Sequence, residues 1–211
     1  YPVKKAAQDR IQLSDMLCTT RGQVNVSMPG ALSIMQENVN QLDEWASKRE
    51  AFLSKGKKTV QAKMLDLLGL KGLPDHKIRI EATGHDSMRE YEQYKFQLIR
   101  EGEMPVPCIL IIPSRANADS PVELRLQEEG KGTYLSEYAN FAAALTEGKI
   151  LLLADLRGLG ETTDPAFYTD AKYWNREYRN AMISMHIGRP IMGQRVVDIL
   201  TLLDFCSEHE F

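Results

Sequence analysis

Residues 149–162 read KILLLADLRGLGET. Five apolar residues in a row, Ile150–Ala154, are bounded by Lys149 and Asp155, and an arginine and two glycines follow within five positions. A run this short and this uniformly apolar fits a parallel strand covered on both faces, since a half-exposed strand alternates apolar with polar. In open α/β sheets ligands gather where such strands end, because the loops diverge there. Asp155, Arg157, Gly158 and Gly160 stand at that end. The glycines permit a sharp turn, and the arginine can tie loops together by paired hydrogen bonds. The pattern favours loop bracing by Asp155 and Arg157 over substrate contact.

Outward from this strand the periodicity sorts the chain. Upstream, PVELRLQ reads as a short strand, and GTYLSEYANFAAALTEG as a helix with Tyr134, Tyr138, Phe141 and Leu145 on one face, Thr133 as N-cap and Gly148 as C-cap. Ile78, Ile80 and Ala82, then Tyr94, Phe96 and Leu98, alternate with polar residues, which predicts an antiparallel hairpin. VPCILIIPS follows as the next strand. Downstream, a helix over about 192–206 carries Val196, Ile199, Leu200 and Leu203. The sequence therefore predicts an α/β fold: a mixed sheet with the hairpin at one edge and parallel strands flanked by helices. Residues 1–40 read as a linker or the tail of a preceding domain, 41–75 as a helical segment split near Gly56, and 76–211 as the sheet domain.

Composition narrows the function. The chain has 211 residues, 43% hydrophobic and 26% charged, with a net charge of −3, and its lysines and arginines form no run. That balance speaks against nucleic acid as a partner. No apolar run reaches the ~18 residues of a membrane span, and YPVKKAAQDR has no apolar signal-peptide core. Cys18, Cys108 and Cys206 lack metal-ligand spacing and read as unpaired thiols. No zinc-protease or phosphate-loop motif is present, so neither metal nor cofactor is expected.

The order of hairpin, PVELRLQEEGKG, amphipathic helix, KILLLADLRGLGET, a long excursion and NREYRNAMISMHIGRPIMGQRVVDILTLLDF resembles the N-terminal half of an α/β-hydrolase. More narrowly, it is similar to acetyl xylan esterases and related carbohydrate-esterase or dipeptidyl-peptidase-like hydrolases, in which an Asp-x-Arg-Gly-x-Gly segment follows the fourth strand. Asp155, Arg157, Gly158 and Gly160 match that segment. Residues 15–40 resemble the connector between tandem esterase-like domains. The resemblance implies a serine hydrolase acting on an acylated carbohydrate, with an extracytoplasmic parent protein.

The nucleophile elbow of that family, Gly-x-Ser-x-Gly, does not occur in the chain. His76, His85, His186 and His209 are scattered, without an evident catalytic partner. The resemblance thus places the triad outside these residues, in a remaining C-terminal half or another copy of the chain. The stretch itself is expected to be inactive. One family element falls inside it, the oxyanion loop after the third strand, whose counterpart is Gln127-Glu128-Glu129-Gly130. Glu128 and Glu129 are the candidates, through backbone N–H groups, although their carboxylates would oppose an oxyanion unless turned away or paired. Trp174 and Tyr178 are candidates for a sugar platform, against the plainer expectation that they pack the excursion onto the sheet.

Two other readings stay open. One is a non-catalytic hydrolase-like interaction module; the other is a prolyl-oligopeptidase-type peptidase. A sheet cut before its nucleophile strand should also leave residues 149–155 as an unpaired apolar edge, prone to association.

Overall fold

The structure, a computed structural model, describes residues 12–72, 77–136, 138–165 and 177–209. The chain divides into two compact units, Tyr1–Val60 and Gln61–Phe211. In the first, a 3-10 turn at Leu13–Met16 and the short helix α1 (Val24–Ser27) precede the 20-residue helix α2 (Ile34–Leu53). Ser33 caps α2, its Oγ accepting from the Gln36 N–H at 3.2 Å. Gly56, at φ +94°, separates α2 from α3 (Lys57–Leu67), which leads into the second unit. At the end of α3 Gly69 takes φ +70°, and the Leu70 N–H reaches back to the Leu65 carbonyl, a glycine-terminated helix end.

The second unit is a mixed α/β structure built on five strands: β1 (Arg79–Ser87), β2 (Tyr91–Ile99), β3 (Val106–Pro113), β4 (Val122–Leu126) and β5 (Ile150–Ala154). Their spatial order is β1-β2-β3-β5-β4. The hairpin β1–β2 forms one edge, β2–β3 and β3–β5 are antiparallel, and β4–β5 is the parallel pair. Between β4 and β5 run α4 (Lys131–Ser136) and α5 (Tyr138–Glu147), and α6 (Tyr178–His186) and α7 (Ile191–Glu208) come last. The connection through α4 and α5 is what allows β4 and β5 to run parallel.

Every residue of β5 is buried, as its unbroken apolarity requires. Leu152 and Ile150 face a cluster with Leu98, Cys108, Leu202 and Phe205, whereas Leu151 and Leu153 face Ile111, Tyr134 and Ala144, with Phe141 and Leu145 packed around them. One strand thus feeds two cores, with α7 over one face and α4–α5 over the other.

Three expectations are corrected. Residues 149–155 are not an edge: β5 is hydrogen-bonded to β3 on one side and β4 on the other, and β4 is the outer strand. Sequence order suggested the reverse, but β5 inserts between two earlier strands. Thr133 is not an N-cap, because α4 already begins at Lys131. Finally, α7 buries Val197, Asp198, Thr201, Leu202 and Phe205, while Leu203 is 51% exposed. Its inward face therefore lies about one position round from the one the apolar spacing selects, because polar residues belong to it.

The three cysteines are free thiols, Cys18 exposed and Cys108 buried. Burial raises the pKa of Cys108 well above the ordinary thiol value and raises that of Cys206 too.

Close backbone approach fixes the start of α7. A Cβ at Gly193 would lie 1.9 Å from the Leu68 carbonyl oxygen just past α3, whereas one at Gly132 would meet nothing within 4 Å. Gly193→Ala should cost about 1–3 kcal/mol in urea denaturation, as overpacking does. Gly132→Ala should be neutral or stabilising by about 0.4–1 kcal/mol.

Candidate functional site

At the carboxyl ends of β4 and β5 lies a crevice of about 820 Å³. Among the described residues it is lined by Glu128, Glu129, Leu156, Gly158, Leu159, Gly160, Thr163, Glu177 and Arg195. The loop after β4 forms one rim and the loop after β5 forms the other.

Asp155, the first residue past β5, holds these rims together. It is 1% exposed, and its carboxylate accepts from the Lys131 N–H at 2.6 Å and the Lys131 ammonium at 2.6 Å, both from the β4 side. From its own side it accepts the Glu161 N–H at 3.0 Å. The Lys131 ammonium also pairs with the Glu161 carboxylate. Two glycines make room for the contact. A Cβ at Gly160 would fall 2.3 Å from the Asp155 Cγ, and one at Gly130 would fall 2.5 Å from the Gly160 Cα. Both glycines have positive φ, +53° and +96°. Burial opposes the charge on Lys131, but hydrogen bonds and attraction from Asp155 and Glu161 outweigh it and raise the ammonium pKa.

Arg157 carries the same bracing inward. Its backbone N–H donates to Asp198 of α7 at 3.0 Å, and Nη2 donates to the same carboxylate at 2.6 Å. Nη1 reaches Gln194 at 3.1 Å and Glu103, in the turn between β2 and β3, at 3.0 Å. Burial works against its charge; the Asp198 and Glu103 bonds prevail, so its pKa is raised. Arg195 donates from Nε to the Arg157 carbonyl at 3.0 Å and pairs with Glu177 beside Gly158.

The side chains of Glu128 and Glu129 are exposed at the crevice mouth. Among the described residues no hydrogen bond engages their backbone N–H groups. The next residue along, Gly130, is buried, and Lys131 is anchored on Asp155, so these amides are carried on a fixed rim. The arrangement offers peptide donors in a crevice braced by buried ion pairs, and donors already in place can stabilise developing negative charge.

Tyr178, 42% exposed, opens α6 and is not among the residues lining the crevice. Trp174 and His76 lie outside the described residues. His85 has an acidic neighbour: its Nε2 sits 2.6 Å from Glu92, which also accepts from the Ser87 hydroxyl at 2.6 Å. The glutamate stands between serine and histidine, the wrong order for an imidazole to activate the hydroxyl. Among the described residues no group of three metal-ligating side chains occurs, and no helix is long and apolar enough to cross a membrane.

Lys131, Glu161 and Asp198 were not legible as site residues. The one signal for Asp198 is the polar series Asp198, Thr201 and Asp204 at three-residue spacing, which lines a single face of α7. Arg100 uses that face as well, donating from Nε to the Thr201 hydroxyl at 2.9 Å and from Nη2 to Asp204 at 2.7 Å.

The sheet, its flanking helices and the crevice at the carboxyl strand ends define a mixed α/β fold. A crystal structure from Bacteroides fragilis, described as a "putative acetyl xylan esterase", matches it with a TM-score of 0.59 at 14% sequence identity. The match covers 72% of this chain and 43% of that one, so the chain spans under half the length of that protein. No family model matches the chain, and no curated protein matches it.

Removing one partner from a buried ion pair strands the other charge. Lys131→Met and Asp198→Ala should each lower stability by about 3–5 kcal/mol in urea denaturation. The raised Lys131 pKa fixes a sign: its contribution is fully present below the ordinary lysine value near ~10.4 and is lost as pH rises through the higher folded value. The stability difference between the parent chain and Lys131→Met should therefore shrink in strongly alkaline buffer.

Proposed function

We propose that this chain is the oxyanion-loop half of a serine-hydrolase-type esterase acting on acylated carbohydrate. The nucleophile, acid and histidine come from residues outside these 211. The observation that carries the reading is the pair of unengaged amides at Glu128 and Glu129, set at the carboxyl strand ends on a loop that Asp155 immobilises. In this reading the ester carbonyl lies in the crevice, the amides receive the charge that develops on its oxygen, and the exposed carboxylates stay in water. The likeness to the Bacteroides fragilis protein supports the fold on which the reading rests. The outer strand β4 supports it further, since an added strand there would deliver a nucleophile beside the crevice.

A second reading is favoured by one observation. Two carboxylates flank the candidate donors, and if they approach a bound ester they oppose the negative charge that develops on its carbonyl oxygen. A hydrolase scaffold kept as an interaction module would carry no penalty for them.

The test uses the protein encoded by the full reading frame, assayed for acetate release from acetylated xylan. The esterase reading expects turnover, and it expects Glu128→Pro or Glu129→Pro, each of which deletes one N–H, to reduce kcat about 100–1000-fold, while Glu128→Gln and Glu129→Gln leave it within a few-fold. Absence of turnover in a folded protein, or proline variants as active as the parent, would move the assignment to the interaction module.

A further inference from the structure

Helix α2, in the first unit, has no buried residue, although it carries Ile34, Met35, Val39, Leu42, Trp45, Phe52 and Leu53. At 3.6 residues per turn these seven project within about 140° of arc, a width suited to packing against another element. Ile34 and Met35 are 79% and 76% exposed, and Leu42 and Trp45 are 59% and 57% exposed. A stripe this continuous is rarely left in water. Only Asn38 and Arg49 interrupt it, and they decide what can cover it.

We propose that α2 pairs antiparallel with α2 of a second copy of the chain. Aligned about its midpoint, an antiparallel pair sets Met35 against Phe52, Leu42 against Trp45 and Ile34 against Leu53, each matched twice by symmetry. The same alignment sets Asn38 against Arg49. The asparagine carbonyl then accepts from the guanidinium, and both polar interruptions are satisfied inside the seam. A parallel pair does the opposite. It brings the two Arg49 charges face to face in a partly dry seam, where like charges repel far more strongly than in water. It also stacks Trp45 on Trp45 with no polar exchange. The helix is prepared for the role: Ser33 caps its first turn, and Lys48 and Glu44 pair across one turn on the outer side at 3.5 Å. A membrane surface fits less well, because Arg49 lies within the apolar arc and Glu37, Asp43, Glu44 and Glu50 accompany it.

The experiment is sedimentation equilibrium on the full chain and two variants, with helix content followed by circular dichroism. The parent chain is expected to dimerise. Leu42→Glu, at a position 59% exposed, is expected to be monomeric with unchanged helix content. Asn38→Glu separates the two orientations. In the antiparallel pair it gives each Arg49 a carboxylate partner and tightens the dimer several-fold, whereas in a parallel pair it adds a second like-charge contact and loosens it. A monomeric parent chain, a dimer untouched by Leu42→Glu, or a dimer weakened by Asn38→Glu would each overturn the proposal. So would binding of the parent chain to anionic vesicles in place of self-association. Esterase activity plays no part in these readouts, so the proposed function and this pairing can fail independently.

Discussion

A single carboxylate, that of Asp155, holds the crevice in shape. It sits at the point where the most buried strand of the sheet leaves the core, and a bare charge there would be costly in a medium of low polarity. Its three donors come from two loops separated by more than twenty residues. Satisfying the charge therefore means bringing those loops together. The glycines follow from the same demand, since Gly130 and Gly160 approach so closely that no side chain fits between them. Local sequence, loop conformation and crevice shape are three consequences of one electrostatic requirement.

A second buried pair extends the order away from the crevice. Arg157 binds Asp198 by both its main chain and its side chain, which fixes α7 in rotation as well as position. Leu202 and Phe205 then face the sheet, and Phe205 meets Phe96 with ring centroids 5.2 Å apart. Arg100, at the end of β2, engages Thr201 and Asp204 farther along the same face. Two arginines from different parts of the sheet thus read a polar line along an otherwise apolar helix. Burial of Leu and Phe supplies the non-directional part of the docking, and the ion pairs supply the direction.

The sequence disclosed what depends on period and concealed what depends on partners. The two-residue alternation of β2 and the unbroken apolar run of β5 reveal strands and their exposure, because each pattern has one physical cause. The class of fold followed from strands alternating with helices. Lys131 was opaque for the opposite reason: beside Gly130 and Gly132 it has the composition of a solvated turn, and only its neighbour in space makes it a core residue. The edge of the sheet is hidden from the sequence because β5 threads between β3 and β4, and chain order carries no mark of that insertion. Asp198 and Thr201 are not marked by apolar spacing, which selects the face that lacks them, although the buried face is the one that holds them. At the crevice, Asp155, Arg157 and their glycines stand out as residue types at a strand end, yet the identity of their partners is a tertiary fact.

The buried thiol of Cys108 has a use beyond packing. It lies on β3 opposite Ala154, in the seam that joins the hairpin side of the sheet to its parallel side, and its S–H donates to the Val106 carbonyl at 3.4 Å. Only a thiolate attacks an alkylating or disulfide reagent, and this one is both shielded and held protonated. Its rate of labelling thus counts the moments at which the seam parts, in the way that amide exchange counts local openings. Cys18, exposed in the first unit, reports the reagent's unhindered rate within the same molecule. The chain therefore contains its own clock for the breathing of its central sheet.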